Sequence, residues 1–470
     1  VSLKFGTDGW RAVIAEEFTF RNVRRVCAAI EKTMAGAGRA GGKAIIGHDT
    51  RFLSRRFAEA AAETLAAAGR HVMITDRYCP TPAASCKVVE EGAAYAVVIT
   101  ASHNPAIFNG VKIKDSTGAS AGEEITSACE KLIAADEPAR LPLDEAARRG
   151  LFEIGSFREA HRVWIEKVVD LDTIRDAGLS VVVDPMHGAC GEIMASLLAG
   201  GSTRVRTLRA APDPLFGGAH PEPLERHLAG LKAEVPASGA DVGLATDGDG
   251  DRIGAFDEKG NFVSPLLIAP LIARNFLKRG RTGPLGKTFA NTILLDRIAA
   301  RHGLPFSVFP VGFKHIARQM VSGRLLLAGE ESGGIGIEGF VPERDGTLIG
   351  LLVLQAMIDE GKPLSSIIAD MQADYGQLHY ERRDLPCPSE KGRALVEDLK
   401  KRRLPTIGGM KVTGLDDLDG LKFLFGEDGW ILFRASGTEP ILRIYSEAPS
   451  AERLAAIMGD AMEMVAAFTP

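Results

Sequence analysis

Apolar residues recur at Val23, Val26, Cys27, Ile30 and Met34, the spacing of one helix face, and Gly36 stands beyond them as a stop. The apolar run Ala44-Ile45-Ile46 then predicts a strand. The alternation continues with a helix over 57–68 closed by Gly69, a strand over 72–75, a helix near 84–91, and a β-branched run, Val97-Val98-Ile99, that stops at Thr100-Ala101-Ser102. Pro105 has no N–H to extend a ladder and biases Asn104 away from helix, so the chain turns and leaves Ser102 at the carboxyl end of a buried strand. In a parallel sheet that is where ligands bind. Strands and helices alternating at this length predict a parallel sheet covered by helices on both faces.

The polar, proline-punctuated stretch 134–142 announces the end of a first domain. A helix near 157–169 leads to strands over 179–183, 205–208 and 242–246, a second α/β unit. A third begins at about 258, with strands near 306–309 and 325–328 and a helix over 346–359. From about Leu378 the rhythm changes to strands clustered over 421–425, 430–434 and 442–446 and a closing helix over 451–468, the pattern of an α+β domain. The expected domains are 1–153, 154–257, 258–376 and 377–470. The three α/β units read as structural repeats without a sequence repeat of fixed period.

Composition narrows the classes. The 470 residues exceed what one core supports, and 45% hydrophobic with 25% charged residues is the balance of a soluble globular protein. A net charge of −5 argues against a nucleic-acid partner and confines any anion site to a local pocket. Six scattered cysteines without a CxxC pair give neither a disulfide framework nor a zinc pattern, so a reduced, cytoplasmic protein is expected. The apolar stretch 348–357 is too short for a bilayer, and 266–277 is interrupted by Pro270 and Arg274. Lys4, Asp8 and Arg11 open the chain with charge, unlike a signal peptide. No membrane partner is expected; monomer and homodimer are both open.

Four stretches carry candidate chemistry. The first is the turn at Ser102. In the second, Asp247-Gly248-Asp249-Gly250-Asp251-Arg252, alternate carboxylates converge on a hard divalent cation, Mg²⁺ if a phosphate completes the shell. An EF-hand loop is excluded because Arg252 occupies the sixth position, where glycine is needed, and the flanks read as strands. The third is Gly329-Glu330-Glu331-Ser332-Gly333-Gly334, whose acceptors suit sugar hydroxyls. The formal GxGxxG over 334–339 is no dinucleotide site, since Pro342 and a charged turn follow where a helix should begin. Gly286-Lys287-Thr288 is no P-loop, since Arg281 stands where its first glycine should. In the fourth, Arg434-Ala435-Ser436-Gly437-Thr438 with Arg443 downstream, a guanidinium, two hydroxyls and a glycine-freed amide fit a phosphate dianion. A serine nucleophile, a metal site, a polyol-reading loop and a phosphate cradle together imply phosphoryl transfer to or from a sugar phosphate.

Thr100-Ala101-Ser102-His103-Asn104-Pro105 and the other three stretches resemble, in order and over essentially the whole chain, the four signature loops of the α-D-phosphohexomutases. The resemblance implies three similar doubly wound α/β domains and a smaller C-terminal α+β domain around one cleft. It implies that Ser102 carries a phosphoryl group, with Mg²⁺ held by that phosphate and by Asp247, Asp249 and Asp251. The phosphoryl group passes to a hexose monophosphate to give a hexose 1,6-bisphosphate, which turns over and returns its other phosphate to Ser102. Glu330 and Ser332 then hold the sugar in either orientation, and Arg434, Ser436, Gly437 and Thr438, with Arg443, hold the phosphate that is not reacting.

By the same resemblance Lys112 is the expected general acid/base, a role for which a depressed pKa supplied by Mg²⁺ and Arg252 is expected. Arg11 matches an arginine that contacts the transferring phosphate, Lys314 in Gly312-Phe313-Lys314 matches a substrate-contacting loop, and His103 orients the serine loop more readily than it acts as a base. His48 reads as structural. Glu331 between Glu330 and Ser332 resembles the glucose-preferring members. Gly334 departs from relatives with a histidine there, and Arg344 is the candidate to supply that cation to the substrate. Phosphoglucomutase is therefore expected first and phosphomannomutase second, with a Mg²⁺-dependent phosphatase or a non-enzymatic binding protein as rivals from other classes.

Overall fold

The computed structural model describes residues 3–6, 8–39, 41–436 and 440–468. The chain forms two compact units, Val1–Gly283 with Gly312–Ile367, and Pro284–Val311 with Ile368–Pro470.

The first unit opens with a six-stranded sheet ordered Trp10–Val13, Phe108–Lys114, Tyr95–Ile99, Lys43–His48, His71–Thr75, Phe152–Gly155. Period-two alternation assigns its two faces. Ala44, Ile46, Val72, Ile74, Val97 and Ile99 join the core beneath the helices Phe20–Met34 and Ser54–Ala67, while Ile45, Met73, Ala96 and Val98 pack with Ala83, Ala84 and Val88 of the helix Thr81–Glu90. Helices therefore cover both faces, as expected.

The sheet is not wholly parallel. Phe108–Lys114 runs antiparallel to Tyr95–Ile99 and to Trp10–Val13. The eight residues 100–107 are too few for the crossover that a parallel neighbour requires, so the chain can only double back. The second sheet repeats the device: Ile253–Asp257 returns antiparallel on Val242–Thr246, which lies parallel to Ser180–Asp184. Ile335–Ile337 likewise returns on Leu327–Gly329. Pro270 sits inside an unbroken helix, Pro265–Lys278, and no helix among the described residues is long and apolar enough to cross a membrane.

In the second unit Leu285–Thr288 pairs in parallel with Phe306–Phe309, so the Gly286-Lys287-Thr288 motif lies in a strand. Its larger part is an antiparallel sheet ordered His379–Pro386, Ile441–Ala448, Trp430–Ala435, Leu421–Leu424, Gly414–Asp416. One face packs on the helices Ser389–Arg402 and Ala451–Ala467. The other sets Trp430, Leu432 and Tyr445 against Phe289 and Ala290. All six cysteines are buried and unpaired with one another.

Gly110 shows how tightly the Ser102 turn is built. A Cβ there would lie 2.5 Å from the Thr100 carbonyl oxygen and 2.6 Å from that of Trp10. Gly110→Ala should destabilise the first unit by about 2 kcal/mol through backbone displacement. An unchanged denaturant midpoint would count against this packing.

Candidate active site

Ser102 stands in the turn between Tyr95–Ile99 and Phe108–Lys114, buried and with a left-handed backbone, φ +52°. A serine holds that conformation at a cost of about 1–2 kcal/mol, so its surroundings must impose it. Arg51, in the turn after Lys43–His48, donates to the carbonyl oxygens of Ser102 (2.6 Å), Asn104 (2.7 Å), Pro105 (2.9 Å) and Phe108 (3.0 Å). Asp49 pairs with Arg51 at 3.1 Å and the Phe216 ring covers the guanidinium. Thr100 Oγ1 accepts the Ser102 N–H at 2.9 Å. The clamped turn aims Ser102 Oγ at Asp247 Oδ2, to which it donates at 2.9 Å. His103 Nδ1 lies 3.4 Å from the same Oγ, and Arg11 Nη1 donates to Asn104 Oδ1 at 2.7 Å. His48 is buried with Nδ1 on the Asp49 carbonyl, at the base of this turn.

Asp247, Asp249 and Asp251 follow the strand Val242–Thr246, all buried, with carboxylate oxygens within 4.8 Å of one another. Asp247 Oδ1 accepts the N–H groups of Asp251 (3.0 Å) and Arg252 (3.2 Å). Lys112 Nζ reaches Asp249 Oδ2 (2.8 Å), Asp251 Oδ2 (2.9 Å) and Asp8 Oδ2 (2.8 Å). Arg252 lies 3.5 Å from Glu222 and 3.9 Å from Asp251. Burial, then the Asp251 and Asp249 charges, push the Asp247 carboxyl well up, whereas Asp249 is held below its ordinary value because Lys112 and the Thr81 hydroxyl outweigh its burial. Asp249 Oδ1 and Asp251 Oδ1 are buried and accept no hydrogen bond. A hard divalent cation supplies both the missing positive charge and a partner for those oxygens, so the residues fit Mg²⁺.

The depressed pKa expected of Lys112 was to come from Mg²⁺ and Arg252, and the carboxylates around the side chain act in the opposite direction. Burial opposes its charge, but Asp249, Asp251 and Asp8 outweigh burial and hold the ammonium above its ordinary value.

Glu330 follows the strand Leu327–Gly329 and is buried, with Ser332 half-buried in the next turn. Its Oε2 accepts from Arg344 Nη1 at 3.0 Å, and Arg344 Nη2 donates to Asp251 Oδ2 at 2.6 Å. Burial, with Glu331 adding to it and Arg344 opposing, pushes the Glu330 carboxyl up to about 7. Lys314, in the first turn of Phe313–Val321, pairs with Glu123 at 3.3 Å in a pocket also lined by Asp8 and Ser120. The structure thus brings Ser102, His103, Lys112, the three aspartates, Arg252, Arg344 and Glu330 together, with Arg11 and Lys314 at the margins.

The phosphate-loop candidates belong to the second unit. Arg434 and Arg443 are direct cross-strand partners, which puts two guanidinium groups on one face beside the loop. Asp419 lies 3.0 Å from Arg434 and Asp384 3.8 Å from Arg443. The same register places Ser436, which is buried, at the mouth of the connection to Ile441, whose carbonyl accepts the Ser436 N–H at 2.9 Å. Gly437 and Thr438 lie outside the described residues.

Five residues of this neighbourhood escape a motif-based reading: Asp8, Arg51, Lys114, Ser120 and Glu343. Only Arg51 carries a usable signal, since Asp49-Thr50-Arg51 follows a strand parallel to the one that delivers Ser102. The others are lone polar residues made conspicuous only by the partners that the fold brings to them.

Sequence models of the phosphoglucomutase/phosphomannomutase family match the chain in order: alpha/beta/alpha domain I over residues 2–140, domain II over 162–260, domain III over 266–375 and the C-terminal domain over 390–464. A Thermococcus kodakarensis protein named "Phosphoglucomutase/phosphomannomutase" is 33% identical over 454 residues, 96% of this chain and 95% of that one. The chain belongs to the phosphoglucomutase/phosphomannomutase family. It is an enzyme of the intramolecular phosphotransferase kind, built from three α/β domains and a C-terminal domain. A Thermococcus gammatolerans protein named "Probable phosphoglucosamine mutase" is 32% identical over 98% of each chain. A crystal structure described as a "putative phosphomannomutase from Thermus Thermophilus" superposes with a TM-score of 0.88 at 35% identity, covering 99% of both chains.

Glu330 generates a pH prediction. Folded, it keeps its proton to about pH 7, while an unfolded glutamate releases it near 4.5. The folded state binds more protons in that window, so its stability falls as pH rises through it. Relative to wild type, Glu330→Gln should flatten the dependence of unfolding free energy on pH between those values. Parallel pH profiles for the two proteins would contradict the assignment.

Proposed function

We propose that this family member is a phosphoglucomutase, interconverting α-D-glucose 1-phosphate and glucose 6-phosphate with Ser102 as the phosphoryl carrier. The observation that carries the reading is the hydroxyl of Ser102, strained, buried and 2.9 Å from the first of three convergent aspartates. In this reading the phosphoserine, metal, sugar and phosphate functions divide at 1–153, 154–257, 258–376 and 377–470. The glucose preference rests on Glu331 between Glu330 and Ser332. The names of the relatives keep mannose and glucosamine phosphates as the substrates to compete against.

Asp247, Asp249 and Asp251 would hold Mg²⁺, which when bound supplies Lewis-acid stabilisation of charge on the phosphoryl group of Ser102. The phosphoryl group leaves Ser102 Oγ for the free hydroxyl of a hexose monophosphate, whose proton passes to a base, and the product is the 1,6-bisphosphate. That intermediate's other phosphate then returns to Ser102. Lys112 is the acid/base of this scheme: charged in the resting site, it gives its proton to the departing Ser102 Oγ and takes up the one that the sugar hydroxyl releases, and the exchange runs in reverse when the other phosphate returns. Arg11 and Arg252 contact the transferring phosphate, and His103 orients the loop. Glu330, Ser332 and Lys314 bind the sugar, and Arg434, Ser436, Gly437, Thr438 and Arg443 bind the distal phosphate.

Three measurements test this reading. Glucose, mannose and glucosamine 1-phosphates, each with a trace of the matching 1,6-bisphosphate, should rank with glucose first; comparable rates on mannose would overturn the sugar preference. Ser102→Ala should lower turnover at least about a thousandfold with the fold intact, and retained activity would remove the nucleophile. Release of inorganic phosphate from glucose 1-phosphate should be slow beside isomerisation; the reverse order would make the protein a phosphatase.

A further inference from the structure

Arg344 has more carboxylate partners than any role in holding substrate would use. Its Nη1 donates to Glu330 Oε2 at 3.0 Å, and its Nη2 to Asp251 Oδ2 at 2.6 Å and Asp8 Oδ2 at 2.8 Å. Its Nε lies 3.4 Å from Glu343 Oε1, which also accepts the Arg344 backbone N–H at 3.0 Å. Every guanidinium nitrogen thus has a carboxylate, and the side chain is buried.

Each contact is anchored from behind. Lys114 pairs with Glu343 and donates to Ser120 Oγ at 2.8 Å, and Ser120 donates to Asp8 at 3.2 Å, closing a ring from Asp8 back to Arg344. His161 pairs with Asp345, whose other oxygen accepts the Leu348 N–H at 3.0 Å. The Gly346 N–H donates to the Gly250 carbonyl at 2.9 Å, which seats the segment after Arg344 on the aspartate loop.

The sugar-reading loop is shaped around the same side chain. A Cβ at Gly334 would lie 2.2 Å from Arg344 Cδ and 2.8 Å from Glu330 Oε2. Gly334 has no left-handed backbone to explain it. Space for Arg344 does.

We propose that Arg344 is a positioning residue that acts through Glu330, holding the sugar-reading carboxylate at a fixed offset from the aspartate loop, and that position 334 is glycine to admit it. The proposal rests on the reading of Glu330 as the sugar ligand. It differs from the expectation that Arg344 itself offers a cation to the substrate, since each of its three guanidinium nitrogens already faces a carboxylate. A rigid link between these loops matters for a transfer in which the sugar hydroxyl must meet the phosphoryl group to within fractions of an ångström.

The test is a double-mutant cycle. Glu330→Gln, Arg344→Met and the double variant are compared in kcat/KM on the best hexose 1-phosphate, and in Kd for the hexose monophosphate in a Ser102→Ala background. Each single variant should lose roughly tenfold or more, mainly in KM, and the double should lose no more than Glu330→Gln alone, with Arg344→Lys recovering part of the loss. Losses that multiply would show that Arg344 contacts substrate independently and would overturn the proposal. Gly334→Ala keeps every charge, so it serves if Arg344→Met does not fold. It should weaken binding as Arg344→Met does and add nothing to Glu330→Gln, and wild-type behaviour would overturn the steric half. A wild-type protein that binds hexose monophosphates with this coupling but turns none over would defeat the mutase reading alone.

Discussion

Three carboxylates of one short turn, Asp247, Asp249 and Asp251, are buried within 4.8 Å of one another, and the surrounding polar structure answers that crowding. Carboxylates in a dry interior cannot all remain ionised without positive charge beside them. Lys112 comes from the strand after the serine turn and Arg344 from the segment after the Glu330 loop, while Asp247 is still left with a carboxyl pushed up by burial and by its neighbours. The need for cations draws together side chains far apart in sequence. A divalent ion would complete the same balance, so that folding and metal binding would answer one electrostatic demand.

The four chemistry-bearing loops share a construction. Those at Ser102, Asp247 to Asp251, and Glu330 to Ser332, and the connection from Ala435 to Ile441, each join two antiparallel strands. Hydrophobic patterning locates the first strand of each pair, because short apolar runs are conspicuous. It passes over Phe108–Lys114 and Ile253–Asp257, where lysines, glycines and an aspartate interrupt the apolar pattern. Those returning strands turn an expected parallel sheet into a mixed one, and the first of them carries Lys112. The polar edge strand His379–Pro386 escapes the pattern for the same reason.

The candidate site was legible wherever chemistry was concentrated in a short stretch. Three aspartates at alternate positions, or Ser102 before His103-Asn104-Pro105, announce themselves locally. Asp8, Arg51, Lys114 and Glu343 do not, since each acts by meeting residues tens to hundreds of positions away. The environment of Lys112 was illegible for a related reason: its charge state depends on Asp8 and two aspartates of another domain, and their sum opposes the burial that the strand position alone suggests.

The left-handed backbone at Ser102 limits which residues could stand there. Threonine carries the same hydroxyl, but its β-branch crowds the backbone at φ +52°. Cysteine would fit the backbone yet carries a sulfur in place of the hydroxyl oxygen. The clamp by Arg51 therefore restricts chemistry through conformation: of the hydroxyl-bearing side chains, serine is the one small and unbranched enough to occupy the turn, and the proposal of Ser102 as the carrier draws on the shape of the loop as much as on the reaction.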